Sequence, residues 1–471
     1  MALNLVRNSR VFFTTNVNAS TGVVQSTGFT SANTQEIQVL DGFTFSQNTN
    51  ADVVTISEAG VAPVRGQRSF NTSLAPVDFS FSSYIRPFNA TTSITAEEAV
   101  LWNALFSANE YSTANTISVP TVTGATYAFT TGDGVITISG TAMTYAGINV
   151  GDNVNISGLS HATDSVILNS AARVVTLSAT AITLSLATPK AAGAAITTIT
   201  SATTVKLYKS AWAPVATNYS IATVGGSNVN QLQKFGLMFA VDNVVYQVDN
   251  CAMGQATIDF GLDAIATIAW TGQATALTQS AVTLATLAAG STAKQTAAPF
   301  ITNKLSTVAM TTLNKLGSTA TATYGIALTG GSITINNNIT YVTPANLGIV
   351  NVPAVYYTGT RSITGTLNAY LKTGSGVGGT GQLLADMLGA ASSAVEPMAS
   401  LAISIGGGAN ATRVVLDMPA VTFGIPTVDV QQVVSTAINF TAAGYIPSAT
   451  ADSNTFALDE VNDLTVRYYS A

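Results

Sequence analysis

The chain of 471 residues has very few charged residues, since lysine, arginine, aspartate and glutamate together make up 8% of it. About a quarter of a typical soluble domain is charged. A surface with so little charge is poorly protected against self-association, so we expect much of it to be buried against other copies of the chain. The net charge of −6 also argues against a nucleic-acid-binding domain, which carries a basic stripe.

Cysteine and histidine each occur once. The single cysteine, Cys251, excludes an intramolecular disulfide and fits folding in a reducing cytoplasm. We expect it to be a small buried hydrophobic residue, because free cysteine is among the most buried residue types. The single histidine, His161, argues against a Ser-His-Asp triad or a His-based metal site, and we expect it in a solvated loop. The sequence therefore predicts no enzyme, no cofactor and no metal ion.

Long apolar runs are also missing, although 47% of the residues are hydrophobic. Thr, Ser, Gln and Asn interrupt every candidate segment before 18 apolar residues accumulate, so no transmembrane helix is predicted. The N-terminal sequence has no long apolar h-region, so no secretory signal is predicted. We expect a protein without membrane contact.

What the sequence does contain is one β-rich module twice, and repeats of this kind define the architecture of a chain. Four segments of the first half match the second half at offsets of 290, 286, 283 and 170 residues. The drop from 283 to 170 indicates 283 − 170, or about 113, inserted residues in the first copy. The matched pairs are 42–50 with 332–340, 80–86 with 366–372, 103–108 with 386–391, and 258–274 with 428–444.

Strands dominate each copy. Residues 79–85 and 258–270 alternate apolar and polar side chains with period two, which predicts antiparallel sheets with one core face and one wetter face. The capping box Thr95-Ala-Glu-Glu98 predicts one helix in the first copy, and its counterpart is expected near residues 380–391. Inside the insertion, short strand-like segments separated by turn residues, such as 135–140 and 153–158, are typical of a small β-sandwich or barrel.

The predicted fold class is therefore mainly β, with two tandem modules of packed antiparallel β-sheets plus one helix each and an inserted small β-domain. The first module is discontinuous. The predicted boundaries are 1–112 plus 215–290 for the first module, 113–214 for the inserted β-sandwich or barrel, 291–445 for the second module and 446–471 for a C-terminal arm.

Candidate functional residues are few. The loop Gly374–Gly379 looks like a dinucleotide-binding fingerprint, but the corresponding loop of the first copy, residues 87–93, has no glycine, so we interpret it as a flexible loop. Asp259 and Asp429 occupy the same position of the repeat on the non-core side of a strand, and Asp263 follows on that side. These carboxylates are either a solvated strand face or acids that face the interior of a ring.

Three arginines flank the long hairpin and the following strand of the first copy: Arg65, Arg68 and Arg86. Ion pairs between subunits and simple solvation are equally compatible with their positions.

Several stretches of the sequence resemble a known family of proteins. The opening LNLVRNSRVFFTT, the run TQEIQVLDGFTFSQNTNADVVTISEAG and the hairpin RGQRSFNTSLAPVDFSFSSYIRP resemble phage tail tube proteins, as do GGSITINNNITYVTP and GTLNAYL in the second half. The likeness covers most of residues 1–112 and 215–445. It implies a major tail tube protein of a long-tailed, siphophage-type bacteriophage, in which three chains close a pseudo-hexameric ring.

The resemblance also implies a function and partners. Rings would stack into a tube through which DNA leaves the capsid during ejection, without specific binding. The other partners would be the tape measure protein and the tail-end proteins, and the chain would be a late virion protein assembled in the host cytoplasm. Two alternatives remain open, namely an exported surface-layer or adhesin-type β-protein and the tube protein of a contractile tail. The insertion is larger than the connection found at this place in the family, so the resemblance does not predict what decorates the outside of the tube.

Overall fold

The structure is a computed structural model that describes the greater part of the chain. The described residues are 9–40, 42–57, 61, 65–90, 93–106, 116–119, 135–139, 148, 150, 153–160, 168–169, 171–186, 205–208, 212–214, 219–222, 232–242, 244–262, 264–296, 299–312, 323–372, 379–390, 398–407, 411–425, 427–429, 434–443 and 463–469.

The described chain is mainly β, as predicted, with short helices between strands. Up to residue 119 the elements are β1 (Arg10–Thr14), β2 (Thr34–Ile37), β3 (Thr44–Ser57), β4 (Arg65–Tyr84), β5 (Pro87–Ala90), β6 (Ser93–Ala96), α1 (Ala99–Phe106) and β7 (Thr116–Val119). Up to residue 290 they are β8 (Val135–Ser139), β9 (Asn153–Ser157), β10 (Ala171–Leu177), β11 (Ala181–Leu186), β12 (Val205–Tyr208), β13 (Trp212–Pro214), β14 (Tyr219–Ala222), β15 (Phe235–Val241), β16 (Val244–Gly261), β17 (Thr267–Ala274), β18 (Ala276–Gln279) and α2 (Leu284–Gly290).

The second half begins with a 3-10 turn, Asn303–Leu305, and again alternates strands with one helix. Its elements are β19 (Thr307–Thr312), β20 (Thr323–Gly325), β21 (Leu328–Asn336), β22 (Ile339–Val342), β23 (Val355–Thr358), β24 (Ser362–Tyr370), α3 (Thr380–Ala390), β25 (Met398–Gly406), β26 (Arg413–Phe423), β27 (Thr427–Asp429), β28 (Ser435–Ala443) and β29 (Thr465–Tyr469).

Eight strands pair side by side in what we call the main sheet. Their order is β3–β4–β17–β16 from the first half, followed by β21–β24–β28–β26 from the second half, and every neighbouring pair is antiparallel. The pairing of β16 with β21 joins the two halves. Short β27 pairs with β28 as a continuation of β26.

A second set of strands packs over the main sheet. In the first half its order is β2–β1–β15–β16–β18, where the N-terminal part of β16 takes part. In the second half the order is β20–β19–β25–β26–β29. Side chains of both sets share one hydrophobic core, which includes Phe13, Phe79, Trp270, Leu416 and Phe440.

The described part of the predicted insertion contains a six-stranded antiparallel sheet of its own, in the order β7–β12–β9–β10–β11–β8. The predicted strands near 135–140 and 153–158 are present as β8 and β9. Alternate side chains such as Ile136, Val154 and Leu207 form a core separate from that of the main sheet. That the segment is an inserted domain of a duplicated chain stays a prediction.

One predicted strand is in fact a hairpin. The alternation over 258–270 spans the end of β16 and the start of β17, and the chain reverses between Gly261 and Thr267. Ile258 and Trp270 are fully buried, as the alternation predicts, but Leu262 is 53% exposed because it lies in the turn. Period two alone does not distinguish one long strand from two strands that continue the same alternation.

Both predicted helices are present. The helix α1 follows Glu98 and buries Leu101, Trp102, Leu105 and Phe106, and α3 covers all but the last of the residues predicted for it. The Thr95 side chain of the predicted capping box lies outside the described residues.

Residues 465–469 form β29, a strand of the second set. Of the predicted arm, residues 463–469 are described, and β29 pairs with β26 on one side and with β14 on the other. Leu464, Val466 and Tyr468 are fully buried. In the second half β29 thus occupies the place that β18 occupies in the first half, next to the N-terminal part of the long central strand.

Glycine faces phenylalanine at three places on the core side of the main sheet. Phe79 lies directly opposite Gly272, Phe260 opposite Gly331, and Phe440 opposite Gly365. A side chain on any of these glycines would meet the facing ring, because its Cβ atom would lie 2.8 Å or less from a ring carbon. Each phenylalanine is 2% or 3% exposed, so the missing side chain makes room for a buried ring.

Candidate functional site

The candidate functional site is the side of the main sheet that faces away from the core, which we call the polar face. Because directly opposed residues of antiparallel strands point to the same side, the strand registers determine which residues share it. Serine, threonine, asparagine and glutamine predominate on this face, and most of them are half-buried or exposed. An open groove of about 590 Å³ runs along it, lined by residues that include Ser332, Thr334, Thr364 and Asn439.

The polar side chains form continuous rows across neighbouring strands. In the central row five threonines lie opposite one another in turn, from β16 through β21, β24 and β28 to β26. These are Thr257, Thr334, Thr364, Thr441 and Thr422. The hydroxyls of Thr257 and Thr334 are 3.3 Å apart, within hydrogen-bond distance.

Two further rows flank the threonine row. One contains Tyr84, Thr267, Asp259, Ser332, Thr366 and Asn439. The other contains Thr44, Ser80, Thr271, Gln255, Asn336 and Ser362. Hydrogen bonds run along them, for example from the Thr366 hydroxyl to Oδ1 of Asn439 at 2.8 Å. None of the residues in the three rows is a lysine or an arginine.

The predicted acidic residues lie on this face where they are described. Asp259 is exposed and lies opposite Ser332 and Thr267. Asp429 is exposed and lies opposite Ser435 of β28. Ser435 is an even number of positions from Asn439 and Thr441 of the polar rows, so all of them project from the same side of β28. Asp263 lies outside the described residues. The structure therefore places Asp259 and Asp429 on one face of one sheet, and that this face points into a ring stays a prediction.

Sequence reasoning missed a third acid on the polar face. Asp78 is exposed, lies opposite Gln273, and accepts a hydrogen bond from the side-chain amide of Gln273 at 3.0 Å. It precedes Phe79 and continues the alternation of Ser80 and Ser82, so extending the alternating window by one residue would have found it. In the second half the equivalent place, at the offset 364 − 78 = 286, is taken by Thr364.

The three candidate arginines are not brought together. Arg68 is exposed and lies opposite Val54 in the outer part of the hairpin formed by β3 and β4, while the side chain of Arg65 lies outside the described part of the chain. Arg86 is 1% exposed. It pairs with Glu97 at 3.5 Å, hydrogen-bonds Gln38, and lies over the Phe300 ring at 4.7 Å. Its burial leaves no exposed surface for an ion pair with a second chain.

The described residues that could serve as a nucleophile or as metal ligands do not form a catalytic or metal site. Cys251 is fully buried, and burial raises the pKa of its thiol well above the usual value. His161 and the loop residues 374–378 lie outside the described residues. Among the residues that the structure does describe, no group of three or more His, Cys, Asp or Glu side chains could hold a metal ion. No described helix is long and apolar enough to cross a membrane.

The main sheet is thus an extended antiparallel β-sheet whose polar face is rich in hydroxyl groups and carries the carboxylates of Asp78, Asp259 and Asp429. No family model matches the chain. The chain is, however, 24% identical over 456 residues to the tail tube protein pb6 of Escherichia phage T5, a match that covers 95% of this chain and 74% of pb6. This similarity confirms the resemblance seen in the sequence. It supports a T5-like phage tail tube protein, a structural protein of the virion tail.

Proposed function

We propose that three copies of this chain close into a pseudo-hexameric ring, and that the rings stack into the tube through which DNA leaves the capsid. The protein acts as a conduit and carries out no catalysis. Similarity to a tail tube protein along almost the whole chain supports the tube. The ring is supported by the order of strands in the main sheet.

The pairing of β16 with β21 provides a template for the contact between chains. The first half contributes β3–β4–β17–β16 and the second β21–β24–β28–β26, so corresponding strands follow in the same order. The junction of the halves joins the last strand of one set to the first strand of the next. Repeating that junction between chains would pair β27 of one copy with the start of β3 in its neighbour. Among the described pairings, β27 and residues 44–47 of β3 have a partner strand on one side only.

The register of this contact follows from the repeat offsets. Asp259 lies opposite Ser332 within the chain. Adding 170 to the first number gives 429, and subtracting 290 from the second gives 42. Residues 427–429 of one chain are therefore expected to lie opposite residues 42–44 of the next. Closing the ring in this way would remove both sheet edges, which otherwise pair with other strands indiscriminately.

A disulfide test can detect this contact. We expect the double variant Thr44→Cys/Thr427→Cys to give covalent dimers and trimers on oxidation of assembled tubes, with no larger closed species. Each single variant is the matched control, and the natural Cys251 is buried and should not react. Intrachain products only, or a ladder that continues to six chains, would contradict the trimeric ring. Electron micrographs of hollow stacked rings provide an independent check of the tube.

We further propose that the polar face lines the channel. Phosphate contacts by lysine and arginine dominate affinity for DNA, and the described rows contain neither. Asp78, Asp259 and Asp429 on the same face would repel phosphates, so that DNA passes without being held. We expect Thr334→Lys/Thr364→Lys tubes to assemble but to slow DNA ejection in a salt-dependent way. Thr334→Ser/Thr364→Ser is the control, and unchanged ejection by the lysine variant would argue against a channel lined by this face.

The remaining parts of the chain are assigned by their place in such a tube. The six-stranded sheet of residues 116–208 would project from the outside, three per ring, because only one of the two halves carries it. The tape measure protein and the tail-end proteins are the proposed partners inside and at the end of the tube. Assembly would take place in the host cytoplasm before the tail joins the virion.

A further inference from the structure

A buried ionisable cluster lies where the start of α1 meets the C-terminal strand β29. Arg86, Glu97 and Glu98 are 1%, 5% and 1% exposed. The Arg86 guanidinium lies 3.5 Å from Oε2 of Glu97. The backbone N–H of Gln38 donates to Oε1 of Glu97 at 3.2 Å. Glu97 therefore has both a cation and a hydrogen-bond donor.

Among the described residues, the hydrogen-bond donors to Glu98 are neutral. The backbone N–H of Arg86 donates to its Oε1 at 3.4 Å, and the Tyr468 hydroxyl of β29 hydrogen-bonds its carboxyl group. That hydroxyl accepts the indole N–H of Trp102 at 2.6 Å. Oε2 of Glu98 is buried with no hydrogen-bond partner among the described residues. The carboxyl group thus connects α1 to β29 through the Tyr468 hydroxyl while one of its oxygens stays unsatisfied.

The charges in this cluster do not balance when both carboxylates are ionised. The cluster contains one guanidinium, and it pairs with Glu97. An ionised Glu98 would therefore be a buried carboxylate that no described cation contacts, which is strongly disfavoured. Burial, with a smaller contribution from the Glu97 charge, raises the pKa of Glu98 to about 7. Burial also raises the pKa of Glu97, but Arg86 and Lys294 oppose that rise. Because Arg86 favours the ionised form of Glu97 and no described cation does so for Glu98, the arrangement favours protonation of Glu98.

We propose that the Arg86–Glu97–Glu98 cluster holds one proton in the folded chain, and that losing this proton loosens the C-terminal strand. The strand is in a position to transmit the effect. It pairs with β26 of the second half and with β14, which follows the six-stranded sheet along the chain. On its other side Arg467 pairs with Asp417 at 2.9 Å and Tyr469 lies against Arg413, whereas Tyr468 points toward the cluster. A pH-dependent β29 would control how firmly these two parts of the molecule are joined.

The direction of the pH dependence follows from the raised pKa. An acid whose folded pKa exceeds its unfolded value binds more protons when folded, so its stabilising contribution is complete at low pH. That contribution decreases as the pH rises from the usual glutamate value toward 7. With a usual value of 4.5 and a folded value of about 7, linkage gives a roughly tenfold increase in strand opening between pH 6 and pH 8.

Hydrogen exchange of the β29 amides in the full-length chain, corrected for intrinsic exchange rates, measures this opening. We expect the wild type to show the tenfold rise and Glu98→Gln to show none, because the amide carries no titrating proton. Asp259→Asn, an exposed acid of the polar face, is the matched control and should behave as wild type. Tyr468→Phe removes a hydrogen bond that stabilises the ionised form and should move the transition to higher pH.

A pH-independent wild type, or a Glu98→Gln variant that keeps the tenfold rise, would overturn the proposal. If Glu98→Gln fails to fold, infrared titration of the wild type still tests it. A protonated carboxyl band that disappears near neutral pH supports the cluster, and its absence at pH 6 refutes it. All of these groups belong to one chain, so the outcome does not depend on whether the chain forms a tube.

Discussion

The most direct test of the packing described above is Gly365→Ala, one of the three places where phenylalanine lies over glycine. Gly365 is on β24, directly opposite Phe440 of β28 and Ile333 of β21. A Cβ atom at this position would lie 2.4 Å from Cζ of Phe440 and 2.6 Å from the backbone oxygen of Ser332. Both distances are far inside van der Waals contact.

The size of the effect depends on which neighbour can move. The Phe440 ring could rotate, but it is 3% exposed within the core, and the Ser332 carbonyl belongs to a paired strand. Overpacking a core costs about 1–3 kcal/mol, and the backbone contact places Gly365→Ala at the upper end, near 3 kcal/mol. The reduced entropy of the unfolded chain offsets about 0.4–1 kcal/mol of this. We therefore expect a net loss of about 2 kcal/mol in the free energy of unfolding.

Urea denaturation of the isolated chain measures this loss as a lower midpoint at unchanged slope. Gly261→Ala is the matched control, because Gly261 ends β16 in the same sheet and a Cβ there meets nothing within 4 Å. It should be neutral or slightly stabilising. Combining Gly365→Ala with Phe440→Leu should recover only part of the loss, since the Ser332 contact remains. A midpoint of Gly365→Ala equal to that of Gly261→Ala would refute the reasoning.

Three further predictions concern the C-terminal strand and the buried tryptophan of β17. Deleting residues 463–471 removes three fully buried side chains, and burial of each contributes about 1.5–3 kcal/mol to stability. We therefore expect calorimetry of the truncated chain to show no cooperative unfolding transition, and a wild-type transition would contradict this prediction. Asp463→Asn breaks the nearly buried ion pair between Asp463 and Arg361, whose charged atoms are 3.0 Å apart, and should lower the free energy of unfolding by about 3 kcal/mol. The exposed Asp259→Asn is the control and should leave the free energy of unfolding unchanged. Trp270→Phe leaves Ser83 without the indole N–H at 2.9 Å and should cost about 1–3 kcal/mol in the same assay.

The deletion also distinguishes two views of the C-terminus. A free arm, as the sequence suggested, could be removed without affecting the fold of a single chain. The paired and buried β29 could not, because β14 pairs only with β13 and β29 among the described strands. The alternation of apolar and polar residues over 465–469 predicts a strand, but it does not predict that this strand pairs with β14 and β26.

The polar face illustrates what local patterns can predict. Asp259 and Asp429 were placed on the non-core side because the alternation of their strands fixes the side from which each residue projects. Asp78 was missed only because the window began one residue later. That the threonines of five strands fall in one row could not be predicted, since the row depends on the registers of four separate strand pairs.

Arg86 shows that a charged residue cannot be assigned to the surface from the sequence alone. An arginine next to a strand end is usually solvated, yet here the Glu97 carboxylate, the Gln38 amide and the Phe300 ring enclose it. Those three residues are separated from it by up to 214 positions along the chain, since 300 − 86 = 214. Its burial, and the charge imbalance that this creates for Glu98, follow only from how distant segments pack.

The sequence by itself indicated the kind of protein: mainly β, poor in charge and similar to phage tail tube proteins. It also determined the side of each strand that enters the core, because period-two alternation is a local property of the backbone. The tertiary structure decided which strands pair, where one alternating run folds into a hairpin, and which carboxylate is left without a cation. The strand order and the environment of Glu98 depend on contacts between residues far apart in the chain, such as Glu98 and Tyr468, whose free energy no local pattern records. The position of the hairpin turn is local, but period-two alternation alone does not reveal it.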